Sequence, residues 1–204
     1  MAVKIFIARH GQNEDNANHI LNGHRDLPLT DLGRQQAHEL GVGMREVGLA
    51  FEKVFTSPLS RAYETAEIVS GLLYVNEVPT VLDELIERDF GVMTGQPHDQ
   101  IIPLCSPDII QTATITYFLN PEGAETFPDL IERGHKVLEK VRAQVKEGRV
   151  LLVCHGDIGK MIYVAATGKP WKDVLKNFHF GNGELIEVSP NDTAHVIKLP
   201  QHNL

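Results

Sequence analysis

Long apolar runs are missing from this chain of 204 residues. No stretch approaches the roughly 18 apolar residues that a membrane-spanning helix needs, so none is expected. The apolar run near the start meets a charge at Arg9 within a few residues, too soon for a secretory signal. Cysteine is scarce: Cys105 and Cys154 stand alone and far apart, which allows one disulfide and excludes a disulfide framework. With no signal segment, a reducing cytoplasm is the expected compartment. Positive charge is short as well, with 19 Lys and Arg against 27 Asp and Glu and a net charge of −8. That balance argues against nucleic acid and anionic membrane as partners, since both need a basic face. A negatively charged small molecule would then need a local positive site. What the chain does have is ordinary, at 42% hydrophobic and 23% charged residues, the composition of a folded globule. Its length suits one good core, and a homodimer is compatible with it.

Residues 3–8 are short, β-branched and aromatic, and read as a buried strand. The polar segment 11–29 reads as loop. Thr30 is a good N-cap for a helix over about 31–48. Lys53 to Thr56 reads as a strand broken at Ser57-Pro58, and a helix over 59–73 buries Ala62, Ala66 and Val69. Val81-Leu82 fits a strand end. Residues 92–122 carry Pro97, Pro103, Pro107 and Pro121 and read as an irregular or helical cap insertion. A helical pattern over 124–147 precedes a second buried strand, Val150 to Cys154, and a helix over 157–167. Leu185 to Val188 and His195 to Leu199 read as strands, joined by a hairpin around Pro190-Asn191-Asp192. The alternation predicts a single α/β domain, a three-layer α/β/α sandwich on a mostly parallel sheet.

Open sheets of this kind bind ligands at the carboxyl ends of their strands. Three predicted strands end at Arg9-His10-Gly11, at Ser57-Pro58 with Arg61 just beyond, and at His155-Gly156. If those strands are neighbours, two histidines and two arginines share one rim. Guanidinium forks suit a phosphoryl group, and backbone amides at Gly11 and near Arg61 and Gly156 would add donors. A neutral histidine can attack phosphorus and hold it covalently, and neighbouring arginines disfavour its protonation. The leaving alkoxide needs a proton, for which Glu87 is the best-placed carboxyl and Glu84 its rival.

The segments Phe6-Ile-Ala-Arg9-His10-Gly11, Leu29-Thr30-x-x-Gly33-x-x-Gln36-Ala37, Thr56-Ser57-Pro58-Leu59-Ser60-Arg61-Ala62, Glu87-Arg88-Asp89-Phe90-Gly91 and Val153-Cys154-His155-Gly156 stand in one order. Together they resemble the signature of the histidine phosphatase superfamily, in its phosphoglycerate-mutase-like branch. The resemblance implies a phosphohistidine at His10, with Arg9, Arg61 and His155 holding the phosphoryl oxygens. It makes Glu87 the acid that protonates the leaving group and then activates water. Asn16 and Gly23 match positions that contact phosphate in many relatives, beside the backbone amides at Gly11 and near Gly156. No metal or other cofactor is implied, because the cationic side chains supply the charge. The chain departs from the pattern at Asn13, where relatives commonly carry Ser or Thr, and at Met93 and Thr94, where Trp and Glu are frequent.

Each residue also has a plain reading: His10 a strand-end histidine, Arg61 a surface ion pair, Cys154 a small core residue. His19, His24 and His38 lack a metal-ligand spacing, and His24 with Arg25 fits the cleft mouth or the surface. Three functions fit: a phosphomonoesterase for a small phosphorylated metabolite, a cofactor-dependent phosphoglycerate mutase, and a phosphate-binding protein without turnover. From Asp89 to Glu132 there is no Lys or Arg, against seven acidic residues. Such a cap is a poor clamp for a doubly anionic substrate and favours the phosphatase, although Arg25 and Arg88 lie within reach. By the resemblance, the chain is also short for a mutase. The apolar cap residues Ile101, Ile102, Ile109, Ile110, Tyr117 and Phe118 fit cover for a weakly charged alcohol, the cap's own core, or an oligomer surface.

Overall fold

The computed structural model describes residues 3–75, 77–189 and 196–200. Its centre is a five-stranded sheet of β1 (Lys4–Arg9), β2 (Lys53–Thr56), β3 (Thr80–Val81), β6 (Arg149–Cys154) and β7 (Leu185–Glu187), in the order β3-β2-β6-β1-β7. All pairings are parallel except that of β7 with β1. β1 and β6 are apolar on both faces because both faces are covered, as interior strands of a parallel sheet require. Ile5, Ile7, Val150, Leu152 and Cys154 pack on one side against Val137, Leu138 and Val141 of α5 (Phe127–Gln144) and Ile158, Met161 and Ile162 of α6 (Gly156–Thr167). Phe6, Ala8, Leu151 and Val153 point the other way, onto Leu40 and Met44 of α2 (Asp31–Glu46) and Ala62, Ala66 and Val69 of α3 (Ser60–Leu72). The two-residue period of a strand thus produces two cores from one sequence run. The result is the α/β sandwich with a mostly parallel sheet that the alternation predicts.

The register places the predicted strand ends side by side: Arg9 lies opposite Cys154, and Thr56 opposite Val153. Two helices were not read from the sequence, α1 (Glu14–Ala17) and α7 (Trp171–Asn177). α1 is only one turn long, and Asn13 makes it by a reciprocal capping box with Asn16. The segment expected to be an irregular cap contains α4 (Ile101–Cys105) and a small antiparallel ladder of β4 (Ile109–Gln111) with β5 (Thr116–Phe118). Leu21, Phe90, Met93, Ile101 and Phe118 bury one another beneath it in a third cluster, which uses Met93 as a core residue.

Gly11 and Gly33 pack backbone to backbone where the loop after β1 crosses the start of α2. A Cβ on Gly11 would lie 2.1 Å from the Gly33 carbonyl oxygen, and one on Gly33 2.0 Å from that of Gln12. Both cysteines are free thiols. The hairpin around Pro190-Asn191-Asp192 and His195 lie outside the described residues; of the strand expected over 195–199, residues 196–199 form only an isolated bridge, Val196 with Ile186, and no strand. Among the described residues no helix is long and apolar enough to cross a membrane.

Candidate active site

His10 follows β1 and is buried, its backbone N–H donating to the Cys154 carbonyl at 3.0 Å. Its ring Nδ1 lies 2.6 Å from the Gly11 carbonyl oxygen. A carbonyl can only accept, so Nδ1 carries the hydrogen and Nε2 bears the lone pair. Arg61 Nε donates to that Nε2 at 3.2 Å. Burial, then the charges of Arg61 and Arg9, hold His10 well below the usual imidazole range, so it is neutral at physiological pH. A neutral ring with a fixed tautomer and an in-plane lone pair is what a phosphorus nucleophile requires.

Arg61 enters from the first turn of α3 and is fully buried. Nη1 donates to the Arg25 carbonyl at 2.6 Å and Nη2 to the Gly23 carbonyl at 3.1 Å. Burial lowers it to about 10, still protonated near neutrality. Gly23 therefore acts through its carbonyl, which sits at a left-handed φ of 50° that favours glycine. Arg25 gives its carbonyl to Arg61, and its side chain pairs with Asp15 at 2.8 Å. Arg9, at the end of β1, donates through Nη1 to the Phe180 carbonyl at 3.3 Å; its Nε has no hydrogen-bond partner among the described residues.

His155 is the N-cap of α6, with its ring centroid 4.9 Å from that of His10. Its Nε2 lies 2.7 Å from Ser57 Oγ, which also accepts from the Leu59 N–H at 3.3 Å. In the tautomer in which Ser57 donates its hydroxyl hydrogen to Nε2, Nδ1–H is a buried donor with no partner among the described residues. A donor without an acceptor, beside His10, suits a phosphoryl oxygen. Burial, then Arg61, keeps His155 neutral too.

Glu87 is buried and sits on the start of α6: Oε1 accepts from Arg88 N at 2.9 Å and Ile158 N at 3.2 Å, and Oε2 from Asp157 N at 3.4 Å. The α6 amides expected to meet phosphate therefore hold the acid instead. A Cβ on Gly156 would fall 3.7 Å from the Arg9 guanidinium carbon and 3.8 Å from Glu87 Oε2, so this glycine keeps that gap narrow. Glu84, the rival, is tied to Lys140 and does not line the cleft.

Gly11 departs from expectation. Its N–H donates to Thr65 Oγ1 at 3.1 Å, and Thr65 in turn donates to the Arg61 carbonyl at 2.7 Å. Gly11 positions His10 and has no free amide for a ligand. Asn16 lines the cleft and accepts at Oδ1 from Asn182 Nδ2 at 3.1 Å. Asn13, which caps α1, donates to Asn22 at 2.6 Å and stays out of the cleft. Cys154 is a core thiol that burial pushes up, and His24 bonds the Glu87 carbonyl at 2.7 Å.

Sequence reasoning passed over five residues. Ser57 lies inside the Thr56–Ala62 motif and Thr65 just beyond it, but both act only through folded partners. Asn182 binds the His10 carbonyl at 2.9 Å from far along the chain. His179, which burial lowers to about 4, and Lys160 also line the cleft, a cavity of about 590 Å³. The cap sequence carries no Lys or Arg, yet the cleft receives a cation from α6. Arg88 also lines it but is engaged, 3.2 Å from Asp157 Oδ2 and caged by Phe90, Phe118 and Phe127.

Among curated proteins, the chain is 28% identical over 179 residues to a 2,3-bisphosphoglycerate-dependent phosphoglycerate mutase of Mesorhizobium japonicum, covering 86% of this chain and 87% of the relative. It is 33% identical over 156 residues to the protein of the same name from Parvibaculum lavamentivorans, covering 75% and 74%. These coverages show relatives named as mutases that are about as long as this chain, so length does not separate the two reactions. Among solved structures, a mycobacterial glucosyl-3-phosphoglycerate phosphatase superposes with a TM-score of 0.77 at 25% identity, over 98% of both chains. Bacillus stearothermophilus YhfR gives 0.74 at 27%, over 96% and 95%. A family model described as histidine phosphatase superfamily (branch 1) matches residues 5–202. The chain belongs to the histidine phosphatase superfamily.

Proposed function

We propose that the protein is a metal-independent phosphomonoesterase that works through a phosphohistidine at His10 Nε2, on a small phosphorylated metabolite. The observation that carries this reading is the state of His10: neutral, with Nδ1–H held by the Gly11 carbonyl and Nε2 facing the Arg61 guanidinium. Nε2 attacks phosphorus as the bond from phosphorus to the alcohol oxygen breaks. The alkoxide takes a proton from Glu87, and the alcohol departs. Water then gives its proton to Glu87 and attacks phosphorus, the P–N bond breaks, and inorganic phosphate leaves with His10 neutral again. Arg9, Arg61 and the His155 Nδ1–H meet the charge that spreads over the equatorial oxygens. Asn16 and Asn182 lie at the same wall.

The second reading is phosphoglycerate mutase, favoured by the names of the curated relatives and by the cationic Lys160 in the cleft. A mutase would return the phosphoryl group to a substrate hydroxyl in place of water.

Brief incubation with an alkyl phosphate and an alkaline quench should leave an acid-labile phosphoryl group on the wild type and none on His10→Ala. Release of inorganic phosphate should continue in EDTA. Full labelling of His10→Ala would remove the nucleophile assignment, and loss of activity in EDTA restored by Mg²⁺ would overturn the metal-independent mechanism. Efficient interconversion of phosphoglycerates that depends on the bisphosphorylated cofactor would make mutase the correct name.

A further inference from the structure

Lys160 is 2% exposed on the inner face of α6. A buried ammonium normally has a carboxylate partner, because desolvating an unpaired charge is costly. Lys160 has no carboxylate within ion-pair distance among the described residues. The nearest acid on its own helix, Asp157, lies against Arg88 at 3.2 Å. The one hydrogen bond from Nζ runs to the Gly156 carbonyl of its own helix, at 3.3 Å. An ammonium has three donors, so most of its capacity is unused. Tyr117, from β5 on the opposite wall, is 6% exposed, and its hydroxyl has no hydrogen-bond partner among the described residues. Lys160 Nζ stands 5.3 Å from the centre of the Tyr117 ring, and both side chains line the same cavity as His10. One buried cation and one buried hydroxyl, on separate elements, are both short of an acceptor.

We propose that Lys160 and Tyr117 form a second subsite of the cleft, which takes a carboxylate carried by the alcohol portion of the phosphate ester. The assignment rests on the phosphomonoester reading of the site. A carboxylate satisfies both groups at once: one oxygen accepts from the ammonium and the other from the phenol. Its single charge matches the single cation. A second phosphoryl dianion would bring more charge than Lys160 offers, with Glu87 and Asp157 close by. A neutral alcohol would leave the buried ammonium unpaired. The apolar wall of Ile101, Ile102 and Ile115 then covers the carbon chain between the two charged ends.

Equilibrium binding to His10→Ala tests the subsite without turnover. The probes are ω-carboxyalkyl phosphates of increasing chain length, each paired with the matching ω-hydroxyalkyl phosphate. At one length, the carboxylate should bind about tenfold or more tightly than its alcohol partner, the scale of a charge-assisted hydrogen bond. Adding Lys160→Met should bring that ratio close to one, and adding Tyr117→Phe, which removes a single oxygen, should cut it several-fold. A ratio near one at every length overturns the subsite, as does a preference that Lys160→Met leaves intact. If Lys160→Met does not fold, Tyr117→Phe and Lys160→Gln give the same readout. The two claims fail separately. A wild type that forms no phosphohistidine yet prefers the carboxylate refutes only the reaction, and hydrolysis of alkyl phosphates with no preference refutes only the subsite.

Discussion

Arg61 Nε donates a hydrogen bond, 3.2 Å long, to Nε2 of His10, the nitrogen that attacks phosphorus in the proposed reaction. The same guanidinium is anchored by the carbonyls of Gly23 and Arg25, so it cannot swing away freely. It therefore orients the ring before substrate arrives, and the entering phosphoryl oxygens must take over its N–H. Arg61→Ala should lower kcat by about 10²-fold or more, the effect of losing one preorganised donor. Arg61→Lys should restore little, because an ammonium cannot span His10 and both carbonyls. Steady-state kinetics decide: a rise in KM with kcat intact would limit Arg61 to ground-state binding.

Glu87 can act as the acid only where the leaving group needs a proton. Glu87→Gln should slow single-turnover phosphoryl transfer from alkyl phosphates far more than from nitrophenyl phosphate, whose phenolate departs unaided. Glutamine keeps the oxygen that accepts from Ile158 or Asp157, so the fold should hold. Equal damage to both substrates would place the acid elsewhere.

The Gly11–Gly33 crossing makes a stability prediction. Gly11→Ala drives a methyl group to 2.1 Å from a carbonyl oxygen, and neither side is a flexible side chain. Relief must come from backbone movement, at a cost of about 2–3 kcal/mol. Because the Gly11 carbonyl fixes the His10 tautomer, kcat should fall as well. Gly33→Ala should destabilise similarly, since its Cβ would meet the Gln12 carbonyl. Urea unfolding measures both; a midpoint within error of the wild type would show that the crossing relaxes.

The buried histidines set the acid limb of stability. His10 and His155 are both held well below their ordinary value, mainly by burial. Between about pH 6.5, where an unfolded histidine titrates, and their lower folded values, the unfolded chain binds more protons than the native one. Stability therefore falls as pH drops below about 6.5 and is recovered above it. The upper part of this window lies above the range in which ordinary carboxylates titrate. Urea midpoints at pH 7.5 and 5.5 should show the loss, and His10→Asn should make it shallower. A midpoint that rises on acidification would mean that these histidines gain a proton in the native state.

Much of this protein is written locally. The strands at 4–9 and 149–154 follow from apolar runs too short for helices, and the capping of α2 follows from Thr30. His10, Arg61, Glu87 and His155 stand out because each sits in a short motif beside a predicted strand end or turn. Covalent neighbours fix such patterns, so they survive without a fold. The tertiary structure decided what depends on distant partners. Only the parallel register of β1, β6 and β2 makes the motif ends one rim. The Gly11 amide looked like a phosphate donor, yet the fold gives it to Thr65, 54 residues away. The α6 amides looked like phosphate donors, but Glu87 lies against them. The scarcity of cap cations described the cap correctly and the cleft incompletely. Lys160 stands about one turn into α6, an apolar helix in which a lone lysine carries no local signature. Burial alone, created by α6 packing between the sheet and the cap, turns that residue from a solvated charge into an unpaired one facing the cleft.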